Sequence, residues 1–324
     1  MEYLFKSVLA KEFSEYIALL LESGRYINKI QSSIRSLDKY LFLHGITEKS
    51  LTEDVIVSWL DGKDVKPRTK SGILSNIKGL AKYLITFGFT ISLPDDMIVP
   101  DDYVPYIFNE EEFSHIIFAA DNFMVNSRLV PSSYQFPILL RILYGCGLRL
   151  REALTLEWNN IDLKSGVMDI IEAKNNVQRR IPLSCSLQTL MIQYKDMIVS
   201  YGESGRYVFE SKYNLGKPYC NNTFEVWFSK ILKSADIKYK RKAVHERGPC
   251  PHCLRHLFTI HSFLKLETEG KTFEEAVPFI SAYLGHHSLM ETEKYLRADY
   301  SMYTKSHQRI SEHISDVFPE VNFE

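Results

Sequence analysis

Leu284-Gly285-His286-His287-Ser288-Leu289-Met290-Glu291-Thr292-Glu293-Lys294-Tyr295 is the stretch on which the reading of this chain turns. Gly285 follows an apolar run and takes a left-handed conformation cheaply, so it marks a helix stop. Ser288 with Glu291 three residues later is a capping-box pattern and predicts that a new helix begins there. His286 then stands in the junction between two helices, with Tyr295 about two turns into the second. Held in this way, an imidazole and a phenol can face one pocket. Tyrosines in such helices are more often packing residues than reactive ones, so the stretch needs support from elsewhere.

Upstream, Pro251-His252-Cys253-Leu254-Arg255-His256-Leu257-Phe258-Thr259-Ile260-His261 places His252 and Arg255 one helical turn apart on a shared face. Gly145-Cys146-Gly147-Leu148-Arg149-Leu150-Arg151-Glu152 puts Arg149 where a helix over 135–144 stops and the next starts, with Glu152 a turn beyond. Between these lie Val167 to Ile171 and Arg179 to Leu183, read as two strands around Asn175-Asn176, with Lys174 at the mouth of the hairpin. A helix is expected from Asn109, with Glu110, Glu111 and Glu112 in the first turn, where the dipole favours acids. Another is expected over Leu187 to Val199. Phe224, Trp227, Phe228, Ile231 and Leu232 form an apolar stripe that reads as core, and Tyr207-Val208-Phe209 is expected to add a short strand. Beyond Tyr295 the chain continues from Arg297 to about Val317, and its aromatic tail is expected to dock elsewhere or on a neighbour.

The first hundred residues read as four helices. Phe13, Tyr16, Ile17, Leu20 and Leu21 recur at helical spacing until Ser23-Gly24, and Ile27, Ile30, Ile34, Leu37, Tyr40 and Leu41 do so until Gly45. Thr52 is a suitable N-cap for a short helix carrying Val55, Ile56 and Trp59. The fourth starts near Lys66-Pro67, since proline fits a first turn, and should bury Ile73, Ile77, Leu80, Leu84 and Phe87. Pro94, Pro100 and Pro105 with Asp95, Asp96, Asp101 and Asp102 exclude a helix or a buried strand. Residues 93–106 are therefore read as a linker between a domain at 1–92 and another at 107–324. The expected class is mainly α with a small β-sheet (α+β).

With 324 residues the chain can fill two cores. No apolar run is long enough to span a bilayer and the N-terminus carries no secretion pattern, so no membrane partner and a cytoplasmic location are expected. Five scattered cysteines, Cys146, Cys185, Cys220, Cys250 and Cys253, fit a reducing compartment. Cys250-x-x-Cys253 lacks the second pair that a structural zinc site needs, so no metal is assigned. Net charge is −1, but it is unevenly spread. Lys66, Arg68, Lys70 and Lys78 cluster at the start of the fourth helix, and Lys238, Lys240, Arg241 and Lys242 cluster before Pro251. Both clusters are candidates for contact with nucleic-acid phosphates, although either could also be a solvated face.

Arg149, Lys174, His252, Arg255, His286 and Tyr295 thus gather at element boundaries. Two guanidiniums can grip a phosphate and neutralise charge that builds on it. A phenol can be a nucleophile if a base or a positive field assists it, a neutral histidine can take its proton, and a lysine can protonate a departing alkoxide. Together these residues suit phosphodiester cleavage without a metal.

Gly147-x-Arg149-x-x-Glu152, the hairpin Lys174, His252-x-x-Arg255-His256, Leu284-Gly285-His286 and Thr292-x-x-Tyr295 resemble, in order and spacing, the signatures of the tyrosine recombinase (phage integrase) family. The resemblance extends to the N-terminal bundle, which looks like that family's SAM-like core-binding domain. It implies a site-specific DNA recombinase in which Tyr295 attacks a phosphate to form a 3′-phosphotyrosyl link. Arg149 and Arg255 would clamp the phosphate, Lys174 would protonate the leaving 5′-oxygen, His252 would act as base toward Tyr295, and His286 would bond a non-bridging oxygen. Glu152, His256 and His261 would support them. It implies no cofactor, double-stranded DNA as partner, and a homotetramer on two sites, a dimer on each. Accessory DNA-bending or directionality proteins and association with the nucleoid belong to the same expectation. Lys174 departs from the pattern by lying between Ala173 and Asn175 rather than between glycines. A type IB-like topoisomerase and a silent DNA-binding protein of the same fold are the competing readings.

Overall fold

The structure, a computed structural model, describes residues 3–24, 27–99, 105–123, 130–171, 178–200, 205–211, 214–240, 248–286, 288–290 and 292. Lys174, Arg241, Lys242, Glu291, Tyr295 and the expected helix and tail beyond Tyr295 lie outside these residues. The chain divides into two units, Met1–Asp101 and Asp102–Glu324.

In the first unit the four apolar stripes become α1 (Ala10–Glu22), α2 (Asn28–Leu43), α3 (Glu53–Asp61) and α4 (Pro67–Thr86). They close around Phe13, Ile34, Leu37, Ile56, Ile77 and Leu80, all fully buried. Each such side chain contributes roughly 1.5–3 kcal/mol on leaving water. Two expected core residues are outside. Leu21 is 59% exposed, because neighbouring helical positions point about 100° apart and the stripe takes Leu20 instead. Phe87 is 63% exposed because α4 ends at Thr86, leaving the ring on the surface against Tyr83 at 4.9 Å. Asp38 on α2 is buried, and its carboxylate accepts the backbone N–H groups of Lys6 (3.1 Å) and Ser7 (2.8 Å) and the hydroxyl of Tyr3 (3.1 Å). That carboxylate stitches the N-terminal segment to the bundle.

The second unit begins with α5 (Glu110–Asp121), whose N-cap Asn109 accepts from Glu112 N at 2.8 Å while Glu112 accepts from Asn109 N at 3.0 Å. This reciprocal cap satisfies two donors that a helix start otherwise leaves open. There follow α6 (Val130–Gly145), which begins five residues before the expected Gln135, and the short α7 (Leu150–Leu154). Strands β1 (Ile161–Asp162), β2 (Val167–Ile171) and β3 (Gln178–Pro182) form an antiparallel sheet in that order, with Ile170 opposite Arg179 and Asp169 opposite Arg180. The two-residue β1 was not expected from the sequence. Helices α8 (Cys185–Ser200), α9 (Asn221–Ser234), α10 (His252–Thr268) and α11 (Phe273–Leu284) complete the described elements. The stripe on α9 is buried, as its spacing predicts. Tyr207-Val208-Phe209 is not a strand: Tyr207 makes an isolated bridge with Glu157, Val208 N donates to Leu156 O, and Val208 O accepts from the Tyr194 hydroxyl at 2.8 Å. Its backbone groups are shared among a loop and a side chain, so no ladder forms. The fold is mainly α with a small antiparallel sheet.

Candidate functional site

Glu152 lies in the first turn of α7 with its side chain only 3% exposed. A buried carboxylate is costly unless cations and N–H donors surround it, and here three arginines from three elements do so. Arg149, at the N-cap of α7, donates Nη1 to Oε1 at 2.9 Å, and its backbone N–H donates to Oε2 at 3.0 Å. Arg179 on β3 forks onto both oxygens, Nη1 to Oε1 at 3.2 Å and Nη2 to Oε2 at 2.6 Å. Arg255 on α10 brings Nη1 within 3.9 Å of Oε2. Burial pushes the Glu152 carboxyl up, but the Arg179 fork, the Arg149 N–H and the charge of Arg255 outweigh it and hold the group below the ordinary glutamate range. Three cations around one anion leave an excess of two positive charges.

Arg255 is 1% exposed, and backbone carbonyls aim its guanidinium. Nη1 donates to Gly147 O at 2.7 Å and Nη2 to Leu284 O at 2.8 Å. Gly147 has φ +58, and a Cβ there would run into the ring of Phe258, so this tight turn before Arg149 requires glycine. Gly285 caps α11 with φ +66, as its place after the apolar run predicts, and a Cβ would meet Arg179 Nη1 at 3.1 Å. Two glycine turns thus present the carbonyls that orient one buried arginine.

His286 follows directly. Its Nε2 is 2.9 Å from Arg255 Nη2 and its Nδ1 is 2.7 Å from the hydroxyl of buried Thr292. A guanidinium only donates, so Nε2 accepts and the neutral ring carries its proton on Nδ1, donated to Thr292. Burial, then Arg255, Arg149, His252 and Arg179, push the imidazole down to about 3. His252 opens α10, its ring edge-on to that of His256 at 4.6 Å. Farther along α10, half-buried His261 meets the Tyr144 hydroxyl through Nδ1 at 2.8 Å, and desolvation lowers it to about 4.

Of the six polar residues singled out in the sequence, the structure brings Arg149, Arg255 and His286 together and places His252 on the same helix as Arg255. Lys174 and Tyr295 fall outside the described residues. Arg179 was missed. The signal for it was strand alternation: Arg179 shares a face with fully buried Ile181, whereas Arg180 points outward to Asp169 at 2.8 Å.

On α4, half-buried Lys70 lies 3.6 Å from Asp61 and half-buried Lys78 lies 2.8 Å from Asp96, acids that stand outside the stretch Lys66–Lys78. Lys66 and Arg68 are exposed. Lys238 pairs with Asp236 at 3.0 Å, and Lys240 is exposed. Among the described residues no three histidine, cysteine or acidic side chains gather as a metal would require, and no helix is long and apolar enough to cross a membrane.

Residues 107–302 match the model of the phage integrase family. The tyrosine recombinase XerC of Chlorobaculum parvum is 24% identical over 262 residues, 76% of this chain and 74% of that protein. In fold, the chain is similar to the XerH site-specific recombinase in its post-cleavage complex with a palindromic difH substrate. That similarity has a TM-score of 0.64 and 17% identity, covering 88% of this chain and 80% of the other. It is also similar to lambda integrase, seen as a tetramer bound to a Holliday junction, with a TM-score of 0.61, 17% identity and coverage of 89% and 76%. The chain belongs to the phage integrase family of tyrosine recombinases, enzymes that cleave and rejoin DNA.

Proposed function

We propose that this protein is a site-specific recombinase or integrase that breaks and reseals DNA through a 3′-phosphotyrosyl link at Tyr295, with neither metal nor ATP. The observation that carries the reading is the meeting of Arg149, Arg255 and His286 beside one buried carboxylate, although they come from α7, α10 and the turn after α11. An excess of fixed positive charge in a largely dry site is what a phosphorane-like transition state needs, because the donors are oriented before the charge develops.

In this reading Arg149 and Arg255 hold the scissile phosphate. The Tyr295 oxygen attacks phosphorus, its proton passes to His252, and the bond to the 5′-oxygen breaks as Lys174 supplies a proton to it. The phosphodiester becomes a phosphotyrosyl ester of similar energy, so a 5′-hydroxyl from a partner strand can reverse the step and no energy source is consumed. His286 would then donate to a non-bridging oxygen. That requires the proton on Nε2 and Arg255 Nη2 turned from the ring toward the phosphate; Thr292 suits this tautomer, since a hydroxyl can donate to Nδ1 as readily as accept from it.

Residues 1–92 are proposed as the core-binding domain and 107–324 as the catalytic domain. Lys66, Arg68, Lys70 and Lys78, with Lys238, Lys240, Arg241 and Lys242, are proposed to meet phosphates of double-stranded DNA. Assembly as a homotetramer on two sites is proposed by analogy with lambda integrase on its junction. Accessory bending or directionality proteins and a cytoplasmic, nucleoid-associated location complete the proposal.

The test is to trap the covalent complex on fragmented genomic DNA from the source cell, sequence the attached ends, and rebuild that site as a nicked duplex. In EDTA the protein should accumulate a 3′-linked adduct, and Tyr295→Phe should bind the duplex yet form none. Cleavage by Tyr295→Phe, or its loss in EDTA, would overturn the mechanism.

A further inference from the structure

Cys250-Pro251-His252-Cys253 spans the start of α10, and the site as proposed uses only its histidine. Cys253 N donates to Cys250 O at 2.9 Å, closing a turn that keeps the two Cα atoms within about 7 Å. The Cα separation in disulfides is about 4.4–6.8 Å, so the backbone already holds the pair at bridging range. The sulfurs are 3.6 Å apart, and Cys250 N also donates to Cys253 Sγ at 3.3 Å. Both cysteines are thiols. Cys250 is half-buried while Cys253 is buried, so Cys250 is the outer of the two. The Cys250 sulfur beside it and then burial push the Cys253 thiol up, so Cys250 is the thiol that attacks first and Cys253 the one that resolves. A metal reading gains nothing, since no third histidine, cysteine or acid completes a site among the described residues.

We propose that Cys250 and Cys253 form a redox-active dithiol whose closure into a disulfide slows DNA cleavage; the second half rests on the recombinase reading. The oxidant is a low-molecular-weight disulfide. The Cys250 thiolate attacks one of its sulfurs and releases one thiol. Cys253 then displaces the second thiol from the mixed disulfide, losing its proton to water. Two protein thiols become one disulfide while one small disulfide becomes two thiols. Closing the gap from 3.6 Å to the S–S bond length of about 2.05 Å turns both cysteine side chains and ties Cys250, ahead of α10, to Cys253 within its first turn. His252 stands between the two cysteines in sequence and Arg255 follows two residues after Cys253, so the bridge constrains the turn that carries the base and one phosphate clamp.

The full-length protein is equilibrated over a range of oxidised to reduced glutathione ratios, quenched in acid, alkylated and peptide-mapped. One aliquot from each ratio is assayed for adduct formation on the nicked duplex. The 250–253 peptide should lose two hydrogens at ratios where the exposed Cys185 and Cys220 are singly modified or alkylated. Cleavage should fall by about tenfold or more, as expected for misplacement of a reacting group, and dithiothreitol should restore it. Cys250→Ser should cleave at the reduced protein's rate in every buffer. No bridged peptide at any ratio would overturn the dithiol, and a bridged protein that cleaves as fast as the reduced one would overturn its effect. Reduced protein that forms no adduct would sink the recombinase reading and the coupling with it, while the peptide map still decides the bridge.

Discussion

Two buried carboxylates, one in each unit, solve the same problem in opposite ways. Asp38 is 1% exposed and is satisfied by neutral donors, two backbone N–H groups and a phenol. Glu152 is 6% exposed and is satisfied mainly by cations, from Arg149, Arg179 and Arg255. Neutral donors leave the local charge at −1 and fasten one chain segment to another. Three guanidiniums overcompensate the charge and leave a positive field with fixed geometry. The first arrangement serves folding, and the second also leaves fixed positive charge around Glu152.

The largest effect expected from this contrast is that of Glu152→Ala. It strands buried guanidiniums without their counter-charge, so urea unfolding should show a loss of about 3–5 kcal/mol. Asp38→Ala leaves two backbone N–H groups and a phenol without their acceptor but strands no cation, and should cost about 1–3 kcal/mol by the same measurement. It should leave the adduct formed per bound DNA unchanged. Equal costs, or a lower adduct yield in Asp38→Ala, would erase the distinction. Arg179→Lys keeps the charge but gives up the fork, and should cost about 1 kcal/mol in stability. Its adduct yield should drop more than its DNA affinity, because Glu152 then holds Arg149 and Arg255 less firmly; an equal drop in both would make Arg179 a simple binding residue.

Acid probes the same field without a substitution. His286 lies at about 3 and His261 at about 4, against 6.5 for a free imidazole. The unfolded chain therefore binds more protons than the folded one below pH 6.5, so stability is full above that value and falls as pH drops toward 3. Glu152, held below its ordinary range, adds to the loss in the same direction at the acid end. Urea midpoints should decline steadily from neutral pH to about pH 4 with an uptake approaching two protons on unfolding. A flat profile would mean that the Arg255–His286 contact does not keep the ring neutral.

Much of this arrangement was legible in the sequence because its residues sit beside punctuation. Gly147 and Gly285 are helix stops, and Arg149 and His286 are fixed by standing next to them; Arg255 is fixed by its spacing from His252. Arg179 carries no such marker. In Gln178-Arg179-Arg180 both arginines look solvent-facing, and only their pairing with β2 separates the buried one from the exposed one. The acids that meet Lys70 and Lys78 were hidden for a related reason, since Asp61 and Asp96 reach α4 through the fold rather than through local spacing. Leu21 and Phe87 show the converse, apolar residues near a stripe that tertiary packing leaves outside.

The alternation on β3 also makes the sheet a ruler for the site. With Asp169 opposite Arg180, Arg179 turns inward to Glu152. A slip of one position would exchange the two arginines, delivering to Glu152 a side chain set one residue, roughly 3.4 Å, along the strand. The pairing of β2 with β3 therefore decides which arginine meets Glu152. The base of the hairpin is locked to the acid it feeds.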